Sequence, residues 1–217
     1  MSLSGHTALI TGAGQGIGRA CAFVFASRGA DLVLLDKNPK TLGKVVTEVG
    51  KMGRQVMDHV LDLTELETLK DIAGKVRNLG LIDILVNNAG FDRPGTTAKI
   101  DTKGFDEVLS IHVTVPLTLI QIFMPGMRAA GWGRIINVSS IYGIIGGKGE
   151  VAYSTAKAGI IGLTKSVAKE CGQDGVTVNV VVPGLIRTPT IETFMAENTN
   201  RLSSVIQLWD EWLNLRR

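Results

Sequence analysis

Short runs of aliphatic and β-branched residues alternate along the chain with longer segments in which apolar residues recur at helical spacing. The predicted strands cover residues 6–11, 31–36, 55–62, 82–87, 134–139 and 176–182, and the predicted helices cover 16–29, 39–52, 64–79, 101–130 and 151–172. Strands that alternate with helices in this way form parallel sheets through right-handed crossover connections. The pattern therefore predicts an α/β protein with a doubly wound parallel sheet and helices on both faces.

Apolar runs such as ALI, LVLL and ILV show no polar alternation, which is typical of strands buried on both faces of a parallel sheet. In such sheets, ligands bind beyond the carboxyl ends of the strands. Those ends here carry polar residues and glycines, which are Thr11-Gly12, Asp36, Asp62, Asn87-Asn88, Ser139-Ser140 and Pro183-Gly184. This edge of the sheet is the predicted ligand site.

The composition indicates one packed domain. The chain has 217 residues, of which 45% are hydrophobic and 20% are charged. One hydrophobic core can serve a chain of this size. Lys and Arg total 23 against 20 Asp and Glu, without a basic run that could follow a phosphate backbone. Nucleic acid is therefore not expected as the main ligand.

Two isolated cysteines, Cys21 and Cys171, show neither a CxxC motif nor metal-ligand spacing. They favour a reduced intracellular setting and no metal site. The N-terminal residues lack the basic and apolar regions of a secretory signal. The longest uncharged stretch, residues 108–127, is interrupted by a histidine and two prolines, so it is predicted to be a buried helix and not a membrane span. We expect a cytoplasmic protein.

The segment TGAGQGIG, residues 11–18, follows the first predicted strand and opens the first helix. Glycines there allow a sharp turn and close approach of the backbone to a pyrophosphate, whose charge the amides and dipole of the helix start stabilise. The segment is predicted to bind a dinucleotide in a Rossmann fold. The residues predicted to do so are Gly12, Gln15, Gly16, Ile17 and Gly18. An ordinary strand-to-helix turn is the alternative, because a glycine-rich stretch alone is a weak signal.

Asp36 ends the second predicted strand, 18 residues after Gly18. This spacing is close to that at which an acidic residue accepts hydrogen bonds from an adenosine ribose. A carboxylate there repels a 2'-phosphate, which favours NAD over NADP. Lys37 would attract the same phosphate and weaken that preference, unless it is an ordinary solvated lysine.

Tyr153 and Lys157 lie four residues apart in a predicted helix and therefore on one face of it. A lysine ammonium beside a phenol favours the phenolate and lowers a pKa that is ordinarily about 10. Tyrosine then becomes a usable acid and base near neutral pH. Thirteen residues upstream of the tyrosine, Ser140 follows a predicted strand, and its hydroxyl could hold a substrate carbonyl. A surface tyrosine packed on a lysine stem would give the same YxxxK pattern.

From Thr7 to Thr188 the chain resembles the short-chain dehydrogenase/reductase family. The resemblance rests on TGAGQGIG, the Asp62-Leu63 pair, NNAG at residues 87–90, Ser140, YxxxK at residues 153–157 and PGLIRT at residues 183–188. It implies that Tyr153 exchanges a proton with the substrate oxygen and that Ser140 orients that oxygen. Lys157 would lower the pKa of the tyrosine and bind the nicotinamide ribose, and the hydride belongs to the cofactor.

The resemblance also implies further cofactor-binding residues. Asp62 would contact the adenine, Asn88 to Gly90 would line the cleft, and Ile186 and Thr188 would position the nicotinamide carboxamide. Together with the glycine segment, the implied set is Asp36, Asp62, Leu63, Asn88, Ala89, Gly90, Tyr153, Lys157, Pro183, Gly184, Ile186 and Thr188.

Two features depart from the family pattern. The family usually has an asparagine where this chain has His112, and an imidazole there could relay protons or simply form a hydrogen bond with the backbone. After Thr188 the family continues to a last strand with glycines, whereas residues 191–217 show only an amphipathic helical pattern. Either the C-terminus is shortened or altered, or the sequence omits part of the protein. We expect one domain, with residues 1–190 as its Rossmann body and 191–217 as an atypical helical segment.

Among family members, the chain is most similar to 3-oxoacyl-thioester reductases and 3-hydroxyacyl or 3-hydroxybutyrate dehydrogenases, a resemblance that rests on NNAGFDRP, His112 and GRIINVSS. We therefore expect an oxidoreductase that acts on a 3-oxoacyl thioester or a related apolar ketone. The long helices at residues 101–130 and 151–172 would form a homodimer or homotetramer interface, unless both are buried within the monomer. A non-catalytic nucleotide-binding regulatory or scaffold protein is the alternative. A nucleotide-dependent transferase is less favoured, because the site has no charged apparatus for phosphate transfer.

Overall fold

The computed structural model describes residues 2–76 and 80–186, apart from the side chain of Ala73. The chain divides into two compact units, Met1–Gly184 and Leu185–Arg217. The described part of the first unit forms, in chain order, β1 (Thr7–Thr11), α1 (Gly16–Ser27), β2 (Asp31–Asp36), α2 (Pro39–Gly50), β3 (Val56–Val60), α3 (Leu66–Lys70), α4 (Ile72–Lys75), β4 (Ile84–Asn87), α5 (Thr102–Leu109), a π-helical turn (Ser110–Thr114), α6 (Val115–Ala129), β5 (Gly133–Val138), α7 (Tyr142–Ile145), α8 (Val151–Cys171) and β6 (Val176–Val181).

These strands form one parallel sheet in the order β3-β2-β1-β4-β5-β6. β1 lies between β2 and β4, with Thr11 opposite Leu35 and Ile10 opposite Val86. The strand order reverses between β1 and β4, and a ligand crevice forms at the carboxyl ends of the strands at such a reversal. The predicted doubly wound parallel sheet is confirmed. Its crevice lies where the glycine segment leaves β1.

The uninterrupted apolar runs of the strands reflect burial of both faces of the sheet. Ala8 and Ile10 of β1 pack in one cluster with residues of α1 and α2, such as Ala22 and Leu42. Leu9, between them in sequence, points to the opposite face and belongs to a second cluster with residues of α6 and α8. Successive side chains of a strand alternate between the two faces of the sheet. Helices therefore pack against both faces and hold the strand ends in place.

The long helical segments differ from their predicted form. The predicted helix at residues 64–79 is present as α3 and α4, because the helical hydrogen-bond pattern is interrupted at Asp71. The predicted helix at 101–130 consists of α5 and α6 joined by the π-helical turn. By length and composition alone, residues 102–129 could also cross a membrane. However, Leu119 and Ile120 of α6 are buried in the core, as predicted for a core helix.

The predicted loss of a last strand and the helical pattern of residues 191–217 lie outside the described residues. The boundary at residue 190 therefore stays a prediction. Within the described residues, Val181 at the end of β6 is 50% exposed.

Candidate active site

The glycine segment folds into a close-packed turn between β1 and α1. Gly12 and Gly16 have φ angles of +64° and +54°, a region that favours glycine. Gly18 has no such φ, but a methyl group there would overlap the carbonyl oxygen of Gly12 and lie 2.6 Å from Nδ2 of Asn88. These positions therefore require glycine for two different reasons, backbone conformation and close packing.

The start of α1 is suited to an anion. Gln15 is its N-cap residue but its side chain forms no capping hydrogen bond, and the first turn of this fully described helix contains no acidic residue. The first amides of a helix carry partial positive charge and bind phosphate groups well. Gln15 is exposed, and Ile17 is half-buried. The structure thus places the predicted pyrophosphate-binding residues around one helix N-terminus.

Thr11 connects the glycine segment to the segment that follows β4. Its Oγ1 accepts hydrogen bonds from the backbone N–H groups of Asn88 (2.9 Å) and Ala89 (3.0 Å). In return, the side-chain amide of Asn88 donates to the carbonyl oxygens of Thr11 (2.9 Å) and Gly12 (3.2 Å). The strand-end position of Thr11 did not by itself predict this role. The signal for it in the sequence was a threonine directly before a glycine turn, together with asparagines after the next central strand.

Asp36 lies beside the glycine segment, as its position at the end of β2 predicts. Its carboxylate accepts hydrogen bonds from the backbone N–H of Gly14 (2.8 Å) and of Asn38 (2.9 Å). The side chain is therefore held at the mouth of the crevice. The Nζ of Lys37 lies 5.6 Å from the ring centroid of Phe91.

Asp62 lines a cavity of about 400 Å³ next to the crevice. The lining residues are Lys37, Asp62, Thr64, Phe91, Asp92, Arg93 and Glu107. Hydrogen bonds from the backbone and side chain of Thr64, together with the charge of Lys37, lower the pKa of the Asp62 carboxyl. Asp62 is thus held as a carboxylate, while the neighbouring Leu63 is buried in the core. A direct contact of Leu63 with a ligand stays a prediction.

Ser140, Tyr153 and Lys157 come together where β5 meets α8. The Ser140 side chain lies near enough to the Tyr153 phenol to lower its pKa. The Nζ of Lys157 lies 5.3 Å from the ring centroid of Tyr153 and donates a 2.8 Å hydrogen bond to the carbonyl oxygen of Val138. Ser139 donates from Oγ to the carbonyl oxygen of Lys157 at 2.7 Å. These two hydrogen bonds therefore join the end of β5 to α8 at Lys157, one helical turn after Tyr153.

The pKa values of this group differ from the sequence-based expectation. Burial raises the pKa of Tyr153 to about 12, against a lowering effect of the Ser140 hydrogen bond, and the charges of Asp92 and Glu150 raise it further. Burial also lowers the pKa of Lys157 to about 7. The predicted lowering of the tyrosine pKa by Lys157 is therefore not found, because the ammonium is desolvated and its hydrogen bond goes to Val138. As placed here, the phenol keeps its proton at neutral pH.

His112 lies in the π-helical turn between α5 and α6 and is 5% exposed. Its Nε2 is 2.9 Å from the carbonyl oxygen of Phe91, and its ring meets Tyr153 edge to face at 5.3 Å between centroids. Burial, with the charge of Lys157, lowers the pKa of His112 to about 3. The sequence left open a backbone hydrogen bond or a proton relay, and the backbone hydrogen bond is present.

The structure gives a position at this site to only some of the remaining predicted residues. Pro183 follows β6 at the same edge of the sheet and accepts a 2.9 Å hydrogen bond from the N–H of Ile141, with Gly184 directly after it. Ile186 belongs to the second compact unit, and Thr188 lies outside the described residues. The roles implied for these two residues stay predictions.

Comparisons with known proteins agree with this arrangement. The short chain dehydrogenase family matches residues 6–199. The 3-oxoacyl-(acyl-carrier-protein) reductase FabG of Thermotoga maritima is 37% identical over 193 residues, which cover 88% of this chain and 78% of that protein. The oxidoreductase UcpA of Salmonella typhimurium is also 37% identical, over 99% of this chain and 82% of its own length.

Two solved structures extend the similarity to three dimensions. One is described as an NAD(P)-dependent gluconate 5-dehydrogenase of Beutenbergia cavernae with bound NADP at low occupancy. It has a TM-score of 0.87 and 32% identity, and the match covers 94% of this chain and 81% of that one. The other, an NAD⁺-bound xylitol dehydrogenase, has a TM-score of 0.80 and 33% identity, over 85% of this chain and 72% of its own. The chain belongs to the short-chain dehydrogenase family and is an NAD(P)-dependent oxidoreductase that acts on CH–OH groups.

Proposed function

We propose that the protein interconverts a ketone and a secondary alcohol with NAD as the preferred cofactor, and that its substrate is a 3-oxoacyl thioester or a related apolar ketone. The observation that carries this proposal is the pair of Ser140 and Tyr153, which lie together beside Lys157. The pair lies at the same edge of the sheet as the glycine segment. A proton donor and a dinucleotide cradle at one crevice are what carbonyl reduction needs.

The residues present fit a dinucleotide. Gly12, Gly16 and Gly18 carry no side chains where the chain turns from β1 into α1, and the helix start offers amides to a pyrophosphate. The Asp36 carboxylate lies beside this turn and would accept hydrogen bonds from ribose hydroxyls. When bound, a nicotinamide supplies or accepts the hydride.

The chain's own residues would handle the proton and the substrate oxygen. Tyr153, protonated at neutral pH because of its raised pKa, would give its proton to the carbonyl oxygen as that oxygen becomes a hydroxyl. Ser140 would orient the same oxygen by a hydrogen bond. Lys157, with a pKa of about 7, would then return a proton to the phenolate. In the oxidation direction each transfer runs in reverse.

Two features support an apolar substrate. Ile144 and Ile145 lie one turn after Ser140, in α7, and are 63% and 44% exposed. Apolar side chains left exposed beside a reactive group commonly mark a ligand or partner surface. The relative FabG, named as a 3-oxoacyl reductase, supports a thioester. The gluconate and xylitol dehydrogenases make an open-chain polyol the second candidate. A cytoplasmic location and a homodimer or homotetramer are part of the same proposal.

A binding and turnover series tests this proposal. The purified protein is titrated with NADH and with NADPH while nicotinamide fluorescence is followed. Turnover of acetoacetyl-coenzyme A with NADH is then compared with turnover of xylitol and gluconate with NAD. We expect NADH binding and thioester reduction. Binding with polyol turnover alone would move the substrate to the second candidate, and absence of binding would overturn the proposal.

Cofactor preference gives a first prediction. Asp36→Ser removes the carboxylate that repels a 2'-phosphate, so the ratio of NADPH to NADH affinity should rise about tenfold or more, or about 1.4 kcal/mol. Asp31→Ser is the matched control, because Asp31 begins the same strand and its carboxylate contacts the N–H of Gln55 at the opposite edge of the sheet. The dissociation constants are measured by fluorescence titration. An unchanged ratio in Asp36→Ser would contradict the assignment.

The pH dependence gives a second prediction. Glu150 lies one helical turn before Tyr153, is 6% exposed, and is among the groups that raise the tyrosine pKa after burial itself. Glu150→Gln removes the negative charge at similar volume, so the pKa of Tyr153 should fall. Alcohol oxidation needs the deprotonated tyrosine, and the rise of kcat/KM with pH should therefore shift to lower pH.

The control for this shift is Glu67→Gln, which neutralises a carboxylate whose side chain is 88% exposed on α3. Its pH profile for kcat/KM should match that of the unmodified protein. A profile of Glu150→Gln that stays in place, or moves to higher pH, would show that the Glu150 charge does not act on the proton-transfer group.

A further inference from the structure

The imidazole of His112 separates the proton-transfer residue from the segment after β4. One edge of the ring meets Tyr153, at 5.3 Å between centroids and an angle of 85°. On another side, Nε2 is 2.9 Å from the carbonyl oxygen of Phe91. The π-helical turn from Ser110 to Thr114 places this side chain in the interior, and single-turn π-helical insertions often lie at functional sites. His112 therefore contacts both halves of the site.

The hydrogen-bond partner fixes the tautomer of the ring. A carbonyl oxygen only accepts, so Nε2 carries the proton and donates it to Phe91, and Nδ1 is the unprotonated nitrogen. Burial holds the pKa of His112 at about 3. The imidazole therefore stays neutral, with the same hydrogen bond, throughout the pH range in which a dehydrogenase works.

Gly90 and His112 occupy complementary volumes. A methyl group on Gly90 would fall inside the imidazole, 2.7 Å from Nδ1 and 2.8 Å from Nε2. Gly90 shows no positive φ, so backbone conformation does not demand glycine at this position. The requirement for glycine comes from the ring packed against it.

The segment 88–91 is thus held from two sides. Thr11 fixes its start through the amides of Asn88 and Ala89. His112 holds its end through the Phe91 carbonyl and the contact with Gly90. Because both of its ends are held, this short segment can move little toward or away from the crevice.

We infer that His112 is a positioning residue and does not relay protons. It fills the space next to Gly90 and donates a hydrogen bond to the Phe91 carbonyl, and it thereby sets the position of segment 88–91 relative to the cofactor crevice. This inference rests on the proposed function, since it assumes that the crevice binds NAD. The role of His112 is then to strengthen the binding of the cofactor. The proton path then needs only Tyr153, Ser140 and Lys157.

Paired substitutions test the shared volume. Gly90→Ala should raise the dissociation constant of NADH about tenfold or more, because the methyl group and the ring cannot both keep their places. His112→Ala empties that volume, so Gly90→Ala/His112→Ala should bind NADH more tightly than Gly90→Ala alone. Additive losses in the double variant would overturn the inference.

Gly14→Ala is the matched control for the rescue. Its methyl group would meet the Thr41 hydroxyl and the Asp36 carboxylate, which belong neither to His112 nor to segment 88–91. Adding His112→Ala to Gly14→Ala should therefore give no recovery of NADH binding. Recovery there would mean that the histidine variant loosens the site in general, and would also overturn the inference.

A second measurement separates positioning from proton relay and does not depend on the Gly90 variants. His112→Phe keeps a flat ring above Gly90 but has no N–H for Phe91, whereas His112→Gln keeps an N–H donor. We expect His112→Phe to raise the KM for NADH, with an unchanged pH profile of kcat at saturating NADH, and His112→Gln to recover part of that loss. A displaced pH profile with an unchanged KM would overturn the inference in favour of a relay.

The proposed function and this inference fail in distinguishable ways. If the unmodified protein binds neither NADH nor NADPH, the cofactor crevice itself is wrong and both proposals fall. If it binds NADH but the Gly90 and His112 losses are additive, only the role of His112 is wrong.

Discussion

Tyr153→Phe is expected to lower kcat about 10²–10⁴-fold, the range that a positioned general acid contributes, while NADH binding stays close to that of the unmodified protein. Phenylalanine keeps the ring that packs against His112 and Tyr142 and removes only the hydroxyl that exchanges the proton. The measurement is steady-state turnover of the substrate found in the screen, together with a fluorescence titration of NADH.

Tyr142→Phe is the matched control for this loss. Tyr142 meets Tyr153 edge to face at 6.5 Å between ring centroids, so its variant removes a second phenol hydroxyl from the same neighbourhood. It should keep most of the turnover. Equal losses in the two variants would contradict a special role for Tyr153. An unmodified protein that binds NADH but turns over no ketone or alcohol would favour the alternative of a nucleotide-binding regulatory protein.

Gly18→Ala is expected to weaken NADH binding by about 10- to 100-fold, because the added methyl group overlaps the Gly12 carbonyl oxygen in a packed turn. Forcing a methyl group into a packed site typically costs about 1–3 kcal/mol, and each 1.4 kcal/mol is tenfold in affinity. Here the strain falls on the turn that would hold the pyrophosphate. The measurements are the NADH dissociation constant and the melting temperature.

Gly43→Ala provides the control for a methyl group in open space. Gly43 lies within α2 and has no atom within 4 Å of an added methyl group. Alanine favours the helix over glycine by up to about 1 kcal/mol, so this variant should melt at the same or a higher temperature and bind NADH normally. A Gly18→Ala variant that binds NADH as well as Gly43→Ala does would show that the turn yields easily and that its packing is not required.

The sequence predicted the fold well because its signals were local and repeated. The strands β1, β2 and β4 are apolar between their polar end residues since both faces of the sheet are covered, as Leu9 and Ile10 show by packing into different clusters. Each strand then ends in a polar residue or glycine, and a parallel sheet brings those ends to one edge. Spacing therefore placed Asp36 and Ser140 at that edge, and the resemblance to the family implied that Tyr153 acts beside Ser140.

Environment-dependent properties could not be predicted in the same way. A spacing of four residues puts Lys157 next to Tyr153 but does not reveal that its ammonium is buried and bonded to Val138. The direction of the tyrosine pKa depends on that desolvation and on Asp92 and Glu150, which come from different segments. The break at Asp71 was also missed, since α3 and α4 have the apolar spacing of one longer helix.

The hydroxyl of Thr11 also has a consequence for the order of folding. It meets the amides of Asn88 and Ala89, which are 77 and 78 positions further along the chain. Closing so long a loop costs chain entropy before any contact rewards it, and such distant pairings slow the folding reaction. The crevice therefore exists only after β1 and β4 have met, whereas helices such as α1 can form from neighbouring residues. A dinucleotide that binds there recognises only the assembled centre of the sheet and, by mass action, holds it together.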